Sequence, residues 1–155
     1  MEVTLKRAGL SDAPEIWKMQ VEAFSEMYSR YGDTETSPAA ERLDKTEGRL
    51  SQPFTYYYFI LADGETAGAV RIIDHKEPDK PKRISPIFIK PSYRGKGTGE
   101  AAVREAERIH GAAGWELDTI LEEESNVRFY KKLGYTMTDE TTKVNDRMTL
   151  VIFRK

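Results

Sequence analysis

Apolar and polar positions along the chain change period several times, and each change marks an element. Val3 to Arg7 alternate and predict a short first strand. Ala13, Ile16, Trp17, Phe24, Met27 and Tyr28 then recur at spacings of three and four, which predicts an amphipathic helix with Gln20 as the polar exception on its stripe. Ser11 and Asp12 offer capping oxygens ahead of it, and Pro14 suits a first helical turn. Tyr31-Gly32-Asp33-Thr34-Glu35-Thr36 breaks the helix, and Ser37-Pro38 is expected to open a second one running to about Leu50.

After Pro53 the pattern becomes strand-like. Phe54 to Leu61 contains consecutive tyrosines with Phe59 and Ile60, Asp63-Gly64 is a hairpin signal, and Thr66 to Asp74 returns as the partner strand. The polar, proline-broken stretch Lys76 to Arg83 reads as a solvated loop. Ile84 to Ile89 is a short apolar strand containing Pro86, a residue that cannot donate to a ladder and is normally confined to edges or bulges. A helical stripe follows from Thr98 to about His110. Leu117 to Glu122 reads as a strand, and Ser125 is placed to cap a short helix ending at Leu133-Gly134. Tyr135 to about Thr141 and Met148 to Phe153 are the last two strands, joined near Asn145-Asp146. The order predicts an α/β protein, a mixed sheet of seven strands flanked by about four helices.

Composition narrows the classes. A chain of 155 residues is expected to form a single domain, 1–155, and needs neither disulfide nor metal to bury a core. With 24 Lys and Arg against 26 Asp and Glu the net charge is -2, which speaks against a nucleic-acid partner relying on a basic excess. The absence of cysteine removes disulfides, thiolate metal sites and cysteine nucleophiles. No apolar run approaches the roughly 18 residues of a membrane span, and the first residues lack the build of a signal peptide. The expectation is a cytoplasmic protein with no membrane partner and no metal.

The most chemical segment is Ile87-Phe88-Ile89-Lys90-Pro91-Ser92-Tyr93-Arg94-Gly95-Lys96-Gly97-Thr98-Gly99, a strand that turns through glycines into a helix. Such glycines let several backbone N–H groups converge, and the helix start adds unsatisfied donors and the positive end of its dipole. The result is an anion site sized for phosphate, with Arg94 and Lys96 nearby. The bland alternative is a tight strand-to-helix connection. A Walker A loop does not fit, since Lys96 is followed by Gly97, and the regular spacing of Gly95, Gly97 and Gly99 misses the dinucleotide fingerprint.

Arg94-x-x-Gly97-x-Gly99, preceded by Ile87-Phe88-Ile89-x-Pro91, resembles the acetyl-CoA signature of the GNAT superfamily of N-acetyltransferases. Asn126-Val127-Arg128-Phe129-Tyr130-Lys131-Lys132-Leu133-Gly134-Tyr135 is similar to the second motif of that superfamily. The resemblance implies a mostly antiparallel seven-stranded sheet splayed between strands 4 and 5, with the cofactor's pantetheine arm in the gap. It implies that Ile87, Phe88 and Ile89 line that arm, with Ile87 and Ile89 offering backbone groups. Arg94, Gly95, Lys96, Gly97, Thr98 and Gly99 would hold the pyrophosphate.

The resemblance also gives Asn126 a cofactor contact and makes Tyr130 the general acid toward the departing CoA sulfur. Read from the residues alone, Asn126 can equally be a helix cap and Tyr130 a core aromatic. Many family members carry a glutamate base on the fourth strand, but Ile84 to Ile89 contains no acid. Glu122 is the nearest candidate base by position, although Glu122-Glu123-Glu124 also reads as a solvated strand exit. The implied reaction is direct acetyl transfer from acetyl-CoA, in a ternary complex, to a primary amine of a small molecule or of a peptide or protein. A non-catalytic acyl-CoA-binding module of the same fold is the alternative, and a homodimer is a common arrangement in the superfamily.

Overall fold

The computed structural model describes residues 1–155. Its strands are β1 (Val3–Arg7), β2 (Thr55–Ala62), β3 (Glu65–Ile73), β4 (Lys82–Ile89), β5 (Trp115–Ile120), β6 (Thr136–Asn145) and β7 (Met148–Arg154). The helices are α1 (Ala13–Tyr31), α2 (Leu43–Leu50), α3 (Thr98–His110) and α4 (Glu124–Lys132). All seven strands join one sheet in the order β1-β2-β3-β4-β5-β7-β6, antiparallel throughout except for the parallel pair β4–β5. No helix is long and apolar enough to cross a membrane.

Strand alternation sends successive side chains of β2 to opposite faces, and a separate core forms on each. Tyr57 and Phe59 pack with Ile16, Met19 and Ala23 of α1 and with Ala69 and Phe88. Tyr58 and Ile60 pack with Val103 and Ala106 of α3, and with Leu117, Tyr130 and Phe153 on the same side. The hairpin at Asp63-Gly64 has both residues at positive φ, 50° and 84°, the combination that matches the twist of a two-residue β-turn.

Several boundaries differ from those the sequence predicts, each for a tertiary reason. Residues 38–40 form only a single 3-10 turn and Glu41 is extended, so the second helix begins at Leu43. Gln20 Nε2 donates to the Pro38 carbonyl at 2.9 Å and Trp17 Nε1 to the Glu41 carbonyl at 2.8 Å, which holds this stretch against α1. Gln20, the polar residue on an apolar stripe, is fully buried because these partners satisfy it. β5 starts and ends two residues before the predicted span: Trp115 and Lys155 exchange backbone bonds at 3.0 Å at its start, and the Glu123 N–H closes a turn on Ile120 O at 3.1 Å after its end. The residue at the N-cap of α4 is therefore Glu123, and Ser125 lies inside the helix.

The functional consequence of this topology lies between β4 and β5. They pair only at Lys82 with Trp115 and Arg83 with Glu116. Beyond Arg83 the two strands part, while β5 stays bonded to β7 and β4 to β3. Ile72 faces Ile84 but Val70 faces Ile87, so Ser85 and Pro86 together oppose Arg71. Pro86 thus sits in a β-bulge, where its missing N–H breaks no ladder bond.

Candidate active site

The parted strands open into a cleft of about 900 Å³, lined by the end of α1, the 33–49 segment, β4, the glycine turn, β5 and one face of α4. Lys90 N donates to Ala67 O at 2.7 Å, which fixes the alternation along β4. Phe88 then exchanges its backbone bonds with Ala69, and Ile87 and Ile89 turn their N–H and C=O groups away from β3, toward the cleft. Phe88 contributes differently from its neighbours: its ring is buried and meets Phe24 edge-on at 5.9 Å.

At the end of β4 the chain makes a turn over Pro91–Tyr93 and enters the glycines. Gly95 and Gly97 adopt φ of 74° and 81°, and a Cβ built on either meets no atom within 4 Å. The left-handed backbone explains the glycines, and the open space on the turn is room for a ligand. Thr98 is buried, its hydroxyl reaching Tyr93 O at 3.4 Å, while the next position brings Gly99 against the Phe129 ring. The N–H groups of the first turn of α3 have no intrahelical acceptors, so they and the helix dipole face the mouth of the cleft.

The two basic side chains behave differently from each other. Arg94 donates from Nε to Ile89 O at 3.0 Å and from Nη2 to Ala23 O at 2.9 Å, tying the end of β4 to α1. Lys96 is absent from the cleft lining and rests over the Tyr93 ring, 5.9 Å from its centre.

On the opposite wall, Asn126 and Tyr130 lie one turn apart on α4 and both line the cleft. Asn126 Nδ2 donates to Thr119 Oγ1 at 3.2 Å, joining α4 to β5. Tyr130 is 8% exposed, packed against Phe129, Tyr135 and Phe153, and no protein group hydrogen-bonds its hydroxyl. Burial raises its pKa well above the usual phenol range, with the charge of Asp118 adding to the effect, so the phenol stays protonated and able to donate.

The acids sort unexpectedly. Glu122 accepts the Thr149 N–H on its Oε1 at 2.7 Å and does not line the cleft; its carboxylate holds the start of β7. Its neighbour Glu123 is the residue of the triplet that enters. Its side chain is 14% exposed and its Oε1 accepts the Tyr31 hydroxyl at 2.7 Å and a bond from Arg30. Nothing in the run itself distinguishes three consecutive glutamates; the pairing of β5 with β7, which sets Glu122 on the Thr149 N–H, and the turn closed by Glu123 N–H on Ile120 O leave Glu123 facing inward. Sequence reasoning also missed Glu41, whose carboxylate pairs with Arg49 at 2.7 and 2.9 Å and accepts Gln20 Nε2 at 2.8 Å at the far end of the cleft.

A sheet that parts after its fourth strand, a glycine turn and a buried tyrosine thus line one opening. The sequence profile of the acetyltransferase (GNAT) family matches residues 13–135, and the chain belongs to that family. A protein of Lactobacillus delbrueckii subsp. lactis, described as an uncharacterized N-acetyltransferase in the pepI 3' region, is 24% identical over 99% of this chain and 96% of its own. The fold is also that of the spermidine N-acetyltransferase of Vibrio cholerae, solved with CoA and spermine (18% identity, 97% and 93% of the two chains, TM-score 0.74). The ribosomal-protein-S18-alanine N-acetyltransferase of Escherichia coli shares it too (14% identity, 98% and 92%, TM-score 0.73). The protein is thus an acetyl-CoA-dependent acyltransferase of this family.

Proposed function

We propose that the protein transfers an acetyl group from acetyl-CoA directly to a primary amine, of a small molecule or of a peptide or protein, with both substrates bound at once. The observation that carries this reading is the convergence, in one cleft, of the unpaired backbone edge of Ile87 and Ile89, the amides from Gly95 to Gly99 and the Tyr130 hydroxyl. Similarity to a spermidine N-acetyltransferase and to a ribosomal-protein N-acetyltransferase supports an amine acceptor of either kind.

In this reading acetyl-CoA supplies an acyl group already activated as a thioester. The amides of the glycine turn and the start of α3 hold its diphosphate by main-chain donors, so the side chains at Lys96 and Thr98 carry little of the affinity. Ile87 and Ile89 offer the amide and carbonyl groups that a pantetheine arm needs, aligning it as an additional strand. The Ile89 carbonyl has a second lone pair for the arm beside its bond from Arg94, and Arg94 Nη1, which has no protein acceptor, is free to meet a phosphate. Asn126 orients the arm from α4. Tyr130, held neutral by burial, gives its proton or a hydrogen bond to the sulfur as the C–S bond breaks. With no acid on β4 from Ile84 to Ile89, the proton of the attacking amine passes to water in the open cleft.

The test is release of CoA thiol from acetyl-CoA across a panel of amines, with Tyr130→Phe as the control. Turnover that falls in the variant while acetyl-CoA still binds supports the reading. The missing β4 acid favours a second one, an acyl-CoA-binding module without catalysis. Acetyl-CoA binding with no acetylation of any amine would establish that alternative.

A further inference from the structure

Glu123 occupies the N-cap position of α4, where a carboxylate ordinarily accepts from the first free N–H groups of its helix. It makes no such bond. The side chain turns instead across the cleft to the end of α1, where Tyr31 and Arg30 both donate to Oε1. Oε2 has no protein donor, so the carboxylate of this cleft-lining residue is anchored by one oxygen and keeps the other free.

The anchor itself is braced. The Tyr31 carbonyl accepts from Asn145 Nδ2 at 2.9 Å and from Arg147 Nη2 at 3.0 Å, so the turn between β6 and β7 clamps the last residue of α1. Gly32 makes this possible: it ends α1 at φ 61° and leaves the space that Arg147 fills, a Cβ there lying 2.5 Å from Arg147 Nη2. Arg30 is shared with Glu26, which accepts at 3.0 Å, and Arg147 spends its guanidinium on the Arg30 and Tyr31 carbonyls, so neither arginine is bonded to Oε2 of Glu123.

Glu123 and Tyr130 stand seven residues apart, one at the N-cap of α4 and the other in its second turn, which separates them by roughly 10 Å along the helix axis. The acceptor nitrogen reacts at the Tyr130 end. We propose that Glu123 is an acceptor-recognition residue whose Oε2 takes a hydrogen bond from a second, positively charged group of the substrate, selecting amines that carry another cation a short chain away from the reacting nitrogen. Glu123 acts on binding and does not take part in breaking the thioester. The inference rests on the amine-acetyltransferase reading above.

The experiment compares kcat/KM for cadaverine and pentylamine, equal in carbon count and differing in one ammonium group. A hydrogen-bonded charge in a partly buried site predicts a wild-type preference for cadaverine of roughly ten- to a hundredfold. In Glu123→Gln the ratio should fall toward two, the statistical value for a diamine with two equivalent ends, chiefly through a higher KM for cadaverine, while Glu123→Asp, which keeps the charge, should retain part of the preference. Tyr31→Phe, which removes the anchor alone, should lower the ratio less than Glu123→Gln. A wild-type ratio no higher than about two, or a Glu123→Gln variant that loses kcat equally with both amines, would overturn the assignment while leaving amine acetylation standing. A wild-type protein that acetylates no amine at all overturns both.

Discussion

The buried guanidinium of Arg71 donates from Nη1 to the carbonyl oxygen of Ser85 at 2.8 Å, across the bulge from which β4 departs from β5. Only 6% exposed, Arg71 also reaches Gln52 Oε1 at 3.2 Å, while its Nε finds no partner. Burial, with help from the charge of Arg49, lowers its pKa to about 10. The side chain fixes the backbone at the point where the cleft begins.

Removing it should therefore be costly. Arg71→Met leaves the Ser85 carbonyl without its donor, and we expect a loss of about 1–3 kcal/mol of stability together with weaker acetyl-CoA binding. Arg71→Lys, which keeps one donor, should lose less of both. Chemical denaturation and cofactor titration of the two variants measure the effects side by side.

Tyr130→Phe removes a hydroxyl that no protein group uses, so stability should change little. Turnover should fall by about 10²-fold or more, the usual contribution of a positioned general acid, with acetyl-CoA affinity retained. Because burial holds the Tyr130 phenol protonated through and beyond the physiological range, the wild-type rate should rise with pH as amines lose their protons. No descending limb from Tyr130 should appear below about pH 10. A pH–rate profile of kcat checks both statements.

Gly97→Asp tests the anion site. The position is left-handed at φ 81° and open around its Cβ, so the variant should fold at a cost of about 1–2 kcal/mol while filling the site with bulk and negative charge. Acetyl-CoA binding should be lost. Micromolar affinity measured by calorimetry in a folded variant would move the diphosphate elsewhere.

His110 gives the protein an acid-sensitive joint remote from the cleft. Its side chain is 1% exposed; Nδ1 meets Asp74 Oδ2 at 2.8 Å and Nε2 meets the Tyr58 hydroxyl at 2.9 Å. Burial lowers the imidazole pKa, outweighing the opposing pull of Asp74. Burial works to raise the Asp74 carboxyl, but bonds from His110 and Lys76 outweigh it and leave its pKa below the usual range. The acceptor carboxylate places the imidazole proton on Nδ1, and Tyr58 donates to Nε2. The unfolded chain takes up a proton near pH 6.5 while folded His110 resists until lower pH, so this contribution is full above about 6.5 and shrinks as pH falls toward the folded value. Melting temperature should drop across that window in the wild type, and the slope should flatten in His110→Gln.

Much of the fold is legible in the sequence itself. The three-and-four spacing of α1, the positive-φ pair at Asp63-Gly64 and the limits of α3 at Thr98 and His110 match their predicted places, because periodicity, turn chemistry and helix stops act within a few residues. The polar Gln20 read as an exception because its partners, Pro38 and Glu41, lie 18 and 21 residues away. Pro86 announced an irregular strand, while the residue it opposes, Arg71, depends on the register of a neighbouring strand.

The sequence alone determined the kind and order of the elements and the glycine turn, since each is written in consecutive residues. Tertiary structure decided which glutamate of Glu122-Glu123-Glu124 enters the cleft, where Arg94 and Lys96 send their charges, and which backbone groups of β4 remain unpaired. Those outcomes turn on hydrogen bonds between segments distant along the chain, such as Thr149 to Glu122 and Tyr31 to Glu123, and local propensity carries no information about partners that folding alone brings together.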